Sequence, residues 1–243
     1  MSKEKRQVLA FDFGASSGRA ILGRLEDGKI VMEEVHRFSN DPVKIGDTLY
    51  WDTLRQFYEI KQGILKAKLN GGFESIAIDT WGVDFGLLDK QDKLLENAVH
   101  YRDERTLGKQ EEVFKEFSKS ELYGATGIQF NDFNTIFQLY SLVKDRPELL
   151  ERAETLLLTP DLFNFFLTGE KKTEYTMATT TQLFEAKNRE WYKELFEVLG
   201  IKENIFPEVV PSGTIVGEIR EDICQELGIN VAKVIAVAGH DTA

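Results

Sequence analysis

The stretch Phe11-Asp12-Phe13-Gly14-Ala15-Ser16-Ser17-Gly18-Arg19 lies between two apolar runs, Val8–Phe11 and Ala20–Leu22. Short apolar runs bounded by glycine and serine read as strands joined by a tight turn. Such a turn offers a density of backbone N–H groups that can wrap an anion. Asp27-Gly28 then predicts a hairpin between a second strand, about Arg19 to Leu25, and a third, Ile30 to Phe38. The first forty residues therefore predict a three-stranded antiparallel meander with a polar turn at one end.

Beyond the meander the pattern changes to helices that can lie on such a sheet. Asp52 is placed to cap a helix with Leu54, Phe57, Ile60, Ile64 and Leu65 at helical spacing, and Asn70-Gly71-Gly72 stops it. Ser75-Ile76-Ala77-Ile78-Asp79 reads as a buried strand ending on a carboxylate. Strand-like pieces at Val83 to Leu88 and Leu95 to Tyr101 lead into a charged helix, about Asp103 to Phe117, and Tyr123 to Gly127 reads as a break. Asn134 then caps a helix holding Ile136, Phe137, Tyr140 and Val143. Thr155 to Leu158 is a short strand, and Thr159-Pro160 opens a helix ended by Gly169. A helix from Trp191 to Leu199, strands at Thr214 to Ile219 and Val234 to Ala238, and a helix around Ile223 and Leu227 complete the reading. Meander, helix and further strand together predict an α/β layer with a mixed sheet flanked by helices, with ligands at strand ends such as Asp12 and Asp79.

Composition narrows the function. Thirty Lys and Arg against 41 Asp and Glu leave a net charge of −11, which opposes nucleic acid and anionic membranes as partners. A phosphate ligand then needs local help from amides, a metal ion or a placed arginine. One cysteine, Cys224, and three scattered histidines supply neither an internal disulfide nor zinc spacing. Met1 to Arg6 is charged, without the apolar stretch of a signal peptide, and the expected location is the cytoplasm. The sequence stops at Ala243, immediately after the polar turn Gly239-His240-Asp241-Thr242, so it is expected to be a fragment.

Three places carry chemistry, and each has a plainer reading. Asp12 to Arg19 is either an ordinary polar hairpin or a phosphate loop, with amides from Ala15 to Gly18 on the phosphates, Arg19 nearby and Asp12 turned toward magnesium. Asp79-Thr80-Trp81-Gly82-Val83-Asp84 is either a turn with a buried tryptophan or a sugar floor, where an indole meets a C–H face and Gly82 admits a hydroxyl. Gly239 to Thr242 is either a helix cap or a turn whose Asp241 accepts a hydroxyl proton. Asp12-Phe13-Gly14, Asp84-Phe85-Gly86 and Tyr101-Arg102-Asp103 spell protein-kinase fragments in the wrong order, and no Gly-Lys-Ser/Thr loop is present. Thr179-Thr180-Thr181 reads as loop or strand surface.

Taken together these stretches resemble the N-terminal half of FGGY-family sugar kinases. The matching segments are Asp12 to Arg19, Ile78 to Phe85, Tyr101 to Asp103, Gly127 to Phe130, Glu174 to Leu183 and His240 to Ala243, and the resemblance covers nearly all of Val8 to Ala243. It implies a two-lobed enzyme of the actin, Hsp70 and sugar-kinase type, each lobe on a ribonuclease-H-like sheet, with residues 1–243 as the N-terminal domain and the nucleotide-binding lobe outside them. It also implies ATP-dependent phosphorylation of a ketose, L-rhamnulose before fuculose, xylulose or ribulose. Magnesium would be the metal. By resemblance, Ala15, Ser16, Ser17, Gly18 and Arg19 fall on the phosphate segment and Asp12 on the metal-associated aspartate. Gly82, His240, Asp241 and Thr242 fall on the sugar site, with Asp241 as the base. Gly14-Ala15-Ser16 and Trp81 to Asp84 depart from the glycerol-kinase pattern. A non-catalytic actin-like ATPase or a sugar-binding domain remains the alternative, and the isolated fragment is expected to be inactive.

Overall fold

The structure, a computed structural model, describes residues 6–243, so the charged lead at residues 1–5 lies outside the described residues. The expected meander forms: β1 (Gln7–Phe13) pairs antiparallel with β2 (Ser17–Glu26), and β2 with β3 (Lys29–Ser39). Ser75–Asp79 adds parallel to β1, Lys233–Ala236 adds parallel to Ser75–Asp79, and Thr214–Glu218 closes the edge antiparallel. This order of three antiparallel strands followed by parallel ones is the ribonuclease-H-like mixed sheet.

Alternation decides which face of the sheet is covered. Leu9, Phe11, Ala20, Leu22, Ile76, Ile78 and Val234 share the buried face. Helix α1 (Thr53–Leu69) packs there, so closely that a Cβ on Gly63 would stand 2.6 Å from the Phe11 ring. Helix Thr159–Thr168 meets the same apolar cluster, with Phe163 stacked on Phe13 at 5.3 Å, and helix Glu221–Leu227 joins through Ile223 and Leu227. A second apolar cluster fills the region between Phe85 and Ile205. Its helices Lys109–Glu116, Thr135–Asp145, Pro147–Arg152 and Lys193–Leu199 gather on the antiparallel pair Phe85–Leu88 and Thr155–Leu158.

Local signals behave as expected at several boundaries. Asp52 caps α1 by accepting from the Arg55 N–H at 3.1 Å, and Pro160 sits in the first turn of its helix. Other expectations need correction. Leu95 to Tyr101 is not a strand, because it passes from strand Phe85–Leu88 to the hairpin of Val43–Ile45 with Thr48–Tyr50 and pairs only briefly with each, through Leu95 N–H to Leu87 O and the bridge Tyr50↔Val99. The charged helix is interrupted: a short 3-10 turn, Glu104–Thr106, is separated from Lys109–Glu116 by Gly108 at φ 79°, a conformation that ends regular helix. Tyr123 to Thr126 belong to a helix, Lys119–Thr126, that runs through Gly124, and the expected break falls at Gly127 alone, whose φ of 70° ends the helix. The strand expected from Val83 begins at Phe85, the helix expected from Trp191 begins at Lys193, and the last strand ends at Ala236. Asn134 precedes its helix without a side-chain cap, since its amide donates to Gln129 O and Gln182 Oε1.

The threonine triple is not on a surface strand. It closes helix Tyr175–Thr180, with Thr180 and Thr181 buried and Thr179 half-buried. Each hydroxyl donates to the carbonyl three residues back, in Thr176, Met177 and Ala178, which satisfies the polar groups as they leave water. Among the described residues, no helix is long and apolar enough to cross a membrane.

Candidate active site

Parallel pairing brings the three expected sites to one end of the sheet. Asp12 at the end of β1 stands in register with Asp79 at the end of its neighbour. Past Asp79 the chain continues alongside the final turn: Thr80 N–H donates to Gly239 O at 2.9 Å, and Asp241 N–H donates to Thr80 O at 3.0 Å. Asp12, Asp79 and Asp241 therefore converge from three adjacent segments. Burial raises the Asp79 pKa to about 7, helped by the charges of Asp12 and Asp241 and opposed by Arg19. Asp79 is legible in the sequence only as a strand-end carboxylate, and its neighbours are set by long-range pairing.

The first turn folds as expected. Gly14 N–H donates to Ser17 O at 2.9 Å, and Asn40 ties the turn down by donating from Nδ2 to Gly14 O at 2.8 Å. Ala15 and Ser16 are exposed, and among the described residues their amides have no acceptor. Those two amides suit an anionic oxygen. Ser17 and Gly18 lie already within β2, and Gly18 owes its glycine to packing, since a Cβ there would stand 2.2 Å from the Phe38 ring. Arg19 pairs with Asp12, its Nη2 2.6 Å from Oδ2. Among the described residues, no group of three or more His, Cys, Asp or Glu side chains gathers closely enough to hold a metal ion. Asp12 offers one carboxylate at the end of β1, and that carboxylate is already paired with Arg19.

The strand end after Asp79 is bent by an unusual turn. Asp84 N–H donates to Gly82 O at 2.9 Å across Val83, which adopts φ 68°. A γ-turn with a β-branched residue at positive φ is strained and persists only where its surroundings enforce it. Here Val83 N–H donates to Thr180 Oγ1, and Val83 O accepts from Thr135 Oγ1 at 2.7 Å. The bend sends Asp84 inward, where it is fully buried and accepts from Trp51 Nε1, Trp81 Nε1, Tyr101 N–H and Gln138 Nε2. Burial raises its pKa to about 6, and the indole and amide donors hold it from rising further. Trp81 is only 6% exposed and stacks on Trp51 at 4.0 Å, so its indole serves the core and is no open floor.

Gly82 and the final turn touch. A Cβ on Gly82 would stand 2.9 Å from Thr180 Cγ2 and 3.2 Å from His240 Cδ2. The Thr242 hydroxyl bonds His240 Nε2 at 2.8 Å and Asp241 Oδ1 at 3.1 Å, while the Asp241 side chain remains exposed. His240, Asp241 and Thr242 thus form one small polar surface, with Gly82 buried against His240 and Asp79 linking the turn electrostatically to Asp12. Such a surface can hold a polyhydroxyl compound beside an anion and take a proton from it.

Comparison with known proteins identifies the family. The profile for the FGGY family of carbohydrate kinases, N-terminal domain, matches residues 7–243. Rhamnulokinase from Oceanobacillus iheyensis is 48% identical over 236 residues, covering 96% of this chain and 50% of the relative. Rhamnulokinase from Halalkalibacterium halodurans is 46% identical, again over 96% of this chain and 50% of its own length. The chain therefore spans about half the length of these relatives. A ligand-bound xylulose kinase from Lactobacillus acidophilus superposes with a TM-score of 0.86 at 20% identity, covering 96% of this chain and 48% of that one. A gluconate kinase from the same organism gives 0.87, also at 20% identity and with the same coverage of 96% and 48%. At that identity the structures speak for the fold, which is that of the actin, Hsp70 and sugar-kinase type. The chain belongs to the FGGY family of carbohydrate kinases.

Proposed function

We propose that this chain forms the sugar-binding, base-bearing half of an ATP-dependent ketose kinase that converts L-rhamnulose to L-rhamnulose 1-phosphate. The observation that carries the reading is the docking of Gly239–Thr242 onto the strand end at Thr80, which sets His240 against Gly82 and brings Asp241, with Asp12, within electrostatic reach of Asp79. The choice of sugar is supported by relatives named rhamnulokinase at 48% and 46% identity. Adenine binding is assigned to a second lobe outside these residues, in keeping with the half-length match. The domain alone is then expected to be inactive.

In this reading Gly82, His240 and Thr242 hold the sugar, and Asp241 acts as general base. The C1 hydroxyl gives its proton to the Asp241 carboxylate as its oxygen bonds to the γ-phosphorus, and the bond from that phosphorus to the ADP oxygen breaks. Thr242 orients the carboxylate through its hydrogen bond to Oδ1. Ala15 and Ser16 amides receive phosphate oxygens, with Arg19 beside them and Ser17 and Gly18 shaping the turn. When bound, magnesium neutralises phosphate charge, and Asp12 is the residue placed to accompany it.

The test is ADP release by the full-length enzyme on L-rhamnulose, L-fuculose, D-xylulose and L-ribulose. The highest kcat/KM is expected with L-rhamnulose. Equal values across the panel would refute the assigned sugar while leaving a kinase.

A further inference from the structure

We propose that Glu174 and Thr176 are positioning residues for Asp241, holding the turn that carries it from the side opposite the sheet. This rests on the reading of Asp241 as the base.

Glu174 precedes helix Tyr175–Thr180 and is 1% exposed. Its Oε2 accepts from the N–H groups of Thr176 at 2.9 Å and Met177 at 3.2 Å, which is ordinary N-terminal capping. Capping explains only those two bonds. The same oxygen also accepts from the Thr176 hydroxyl and from Gly239 N–H at 3.2 Å, and Oε1 accepts from Ser212 Oγ at 2.6 Å. Among the described residues, no Lys, Arg or His forms an ion pair with this buried carboxylate. Neutral donors alone hold it, and one of them comes from a turn 65 residues away.

Thr176 completes the arrangement. Its hydroxyl donates to Glu174 and accepts from His240 N–H at 3.2 Å. Three consecutive amides thus have separate acceptors: Gly239 on Glu174, His240 on Thr176, and Asp241 on Thr80. The sheet alone secures only the last. Gly239 also lies tight on this side, since a Cβ there would stand 3.2 Å from Met177 Cγ and from Pro160 Cγ. At its far end the same short helix presents Thr180 to Gly82 and Val83 N–H. The helix therefore fixes the sugar-strand bend and the base-bearing turn relative to each other.

A carboxylate must be held within a fraction of an ångström to take a proton in a forming transition state, and a shift of about 1 Å costs about 100-fold. In the full-length enzyme, Thr176→Val removes the hydroxyl at nearly constant volume, and Thr176→Ser retains it. The valine variant is expected to lower kcat by about 10- to 100-fold with KM for ATP within about 2-fold of wild type, and the serine variant to recover to within about 3-fold. Glu174→Ala should behave like Thr176→Val, and Glu174→Gln, which keeps an acceptor oxygen, should lose less. Should Glu174→Ala fail to fold, the Thr176 pair still decides. A wild-type kcat for Thr176→Val, or serine as impaired as valine, overturns the proposal. Asp241→Asn measured alongside separates the two claims. If it keeps its turnover, the base assignment fails and this inference with it. If it loses turnover while Thr176→Val does not, only the positioning role fails.

Discussion

Replacing Asp84 by alanine would strand the Trp51 and Trp81 indole N–H groups and the Tyr101 amide, whose shared acceptor is Oδ2 at 2.6, 3.0 and 3.1 Å. The fourth donor, Gln138 Nε2, keeps Phe133 O at 2.8 Å. Three buried donors left without an acceptor cost about 1–3 kcal/mol each. Against this stands the burden of an ionised carboxylate in the core. Raising Asp84 from 3.8 to about 6 corresponds to ~3 kcal/mol above pH 7, which alanine relieves. The net loss centres on about 3 kcal/mol at pH 8, a fall in Tm of about 6–12 °C for a domain of this size. Its pH dependence is the sharper signature. Because the folded-state pKa of about 6 lies above the ordinary 3.8, Asp84 favours the folded state in acid, and that advantage is lost as pH rises through about 6. Wild type should therefore gain ~1.4 kcal/mol from this group between pH 8 and pH 5, and the alanine variant should not. Urea unfolding followed by tryptophan fluorescence at both pH values measures the difference, with Trp51 and Trp81 as reporters. A loss below about 1 kcal/mol, or one equal at the two pH values, would refute the reasoning.

Three further outcomes are expected from the close approaches and the strained turn. Gly82→Ala drives a methyl into Thr180 and His240, at 2.9 and 3.2 Å, and should cost about 1–3 kcal/mol and raise the sugar KM about tenfold. An unchanged KM would remove Gly82 from the sugar site. Gly18→Ala meets the Phe38 ring at 2.2 Å and should cost about 1–3 kcal/mol in a urea titration, with nucleotide affinity in the full-length enzyme largely kept. Val83→Gly should be near neutral, within about 1 kcal/mol, because relief of a β-branched residue at φ 68° offsets the lost apolar burial. A loss above about 2 kcal/mol would mean that the turn is not strained.

The parts of the molecule legible in its sequence are those that local physics controls. The meander comes from short apolar runs, the Gly/Ser turn and Asp27-Gly28, and α1 from its spacing and Asp52 cap. Interrupted and pass-through segments are misread, because Leu95 to Tyr101 takes its shape from two separate strand partners and Gly124 is carried inside a helix by its neighbours. Asp12, Gly82, His240 and Asp241 can be singled out by residue type, yet their proximity depends on parallel pairing over more than 150 residues. Glu174, Thr176 and Thr180 stand in a matched segment with no visible role. Nothing near them in sequence announces that their partners are Gly239, His240 and Val83. Trp81 and Asp84 carry the opposite lesson. Their residue types suggest a ligand, and the strained bend at Val83 turns them into core.

Asp241 is the residue on which the proposed chemistry most directly depends. Asp241→Asn in the full-length enzyme keeps the backbone bond to Thr80 O and nearly the same shape, but removes the proton acceptor. Rapid-quench single turnover, with sugar binding measured separately by calorimetry, isolates the transfer step. The predicted result is a loss of at least about 100-fold in that step with sugar affinity within a few-fold of wild type. Transfer at the wild-type rate with bound sugar would contradict the assignment of Asp241 as the base.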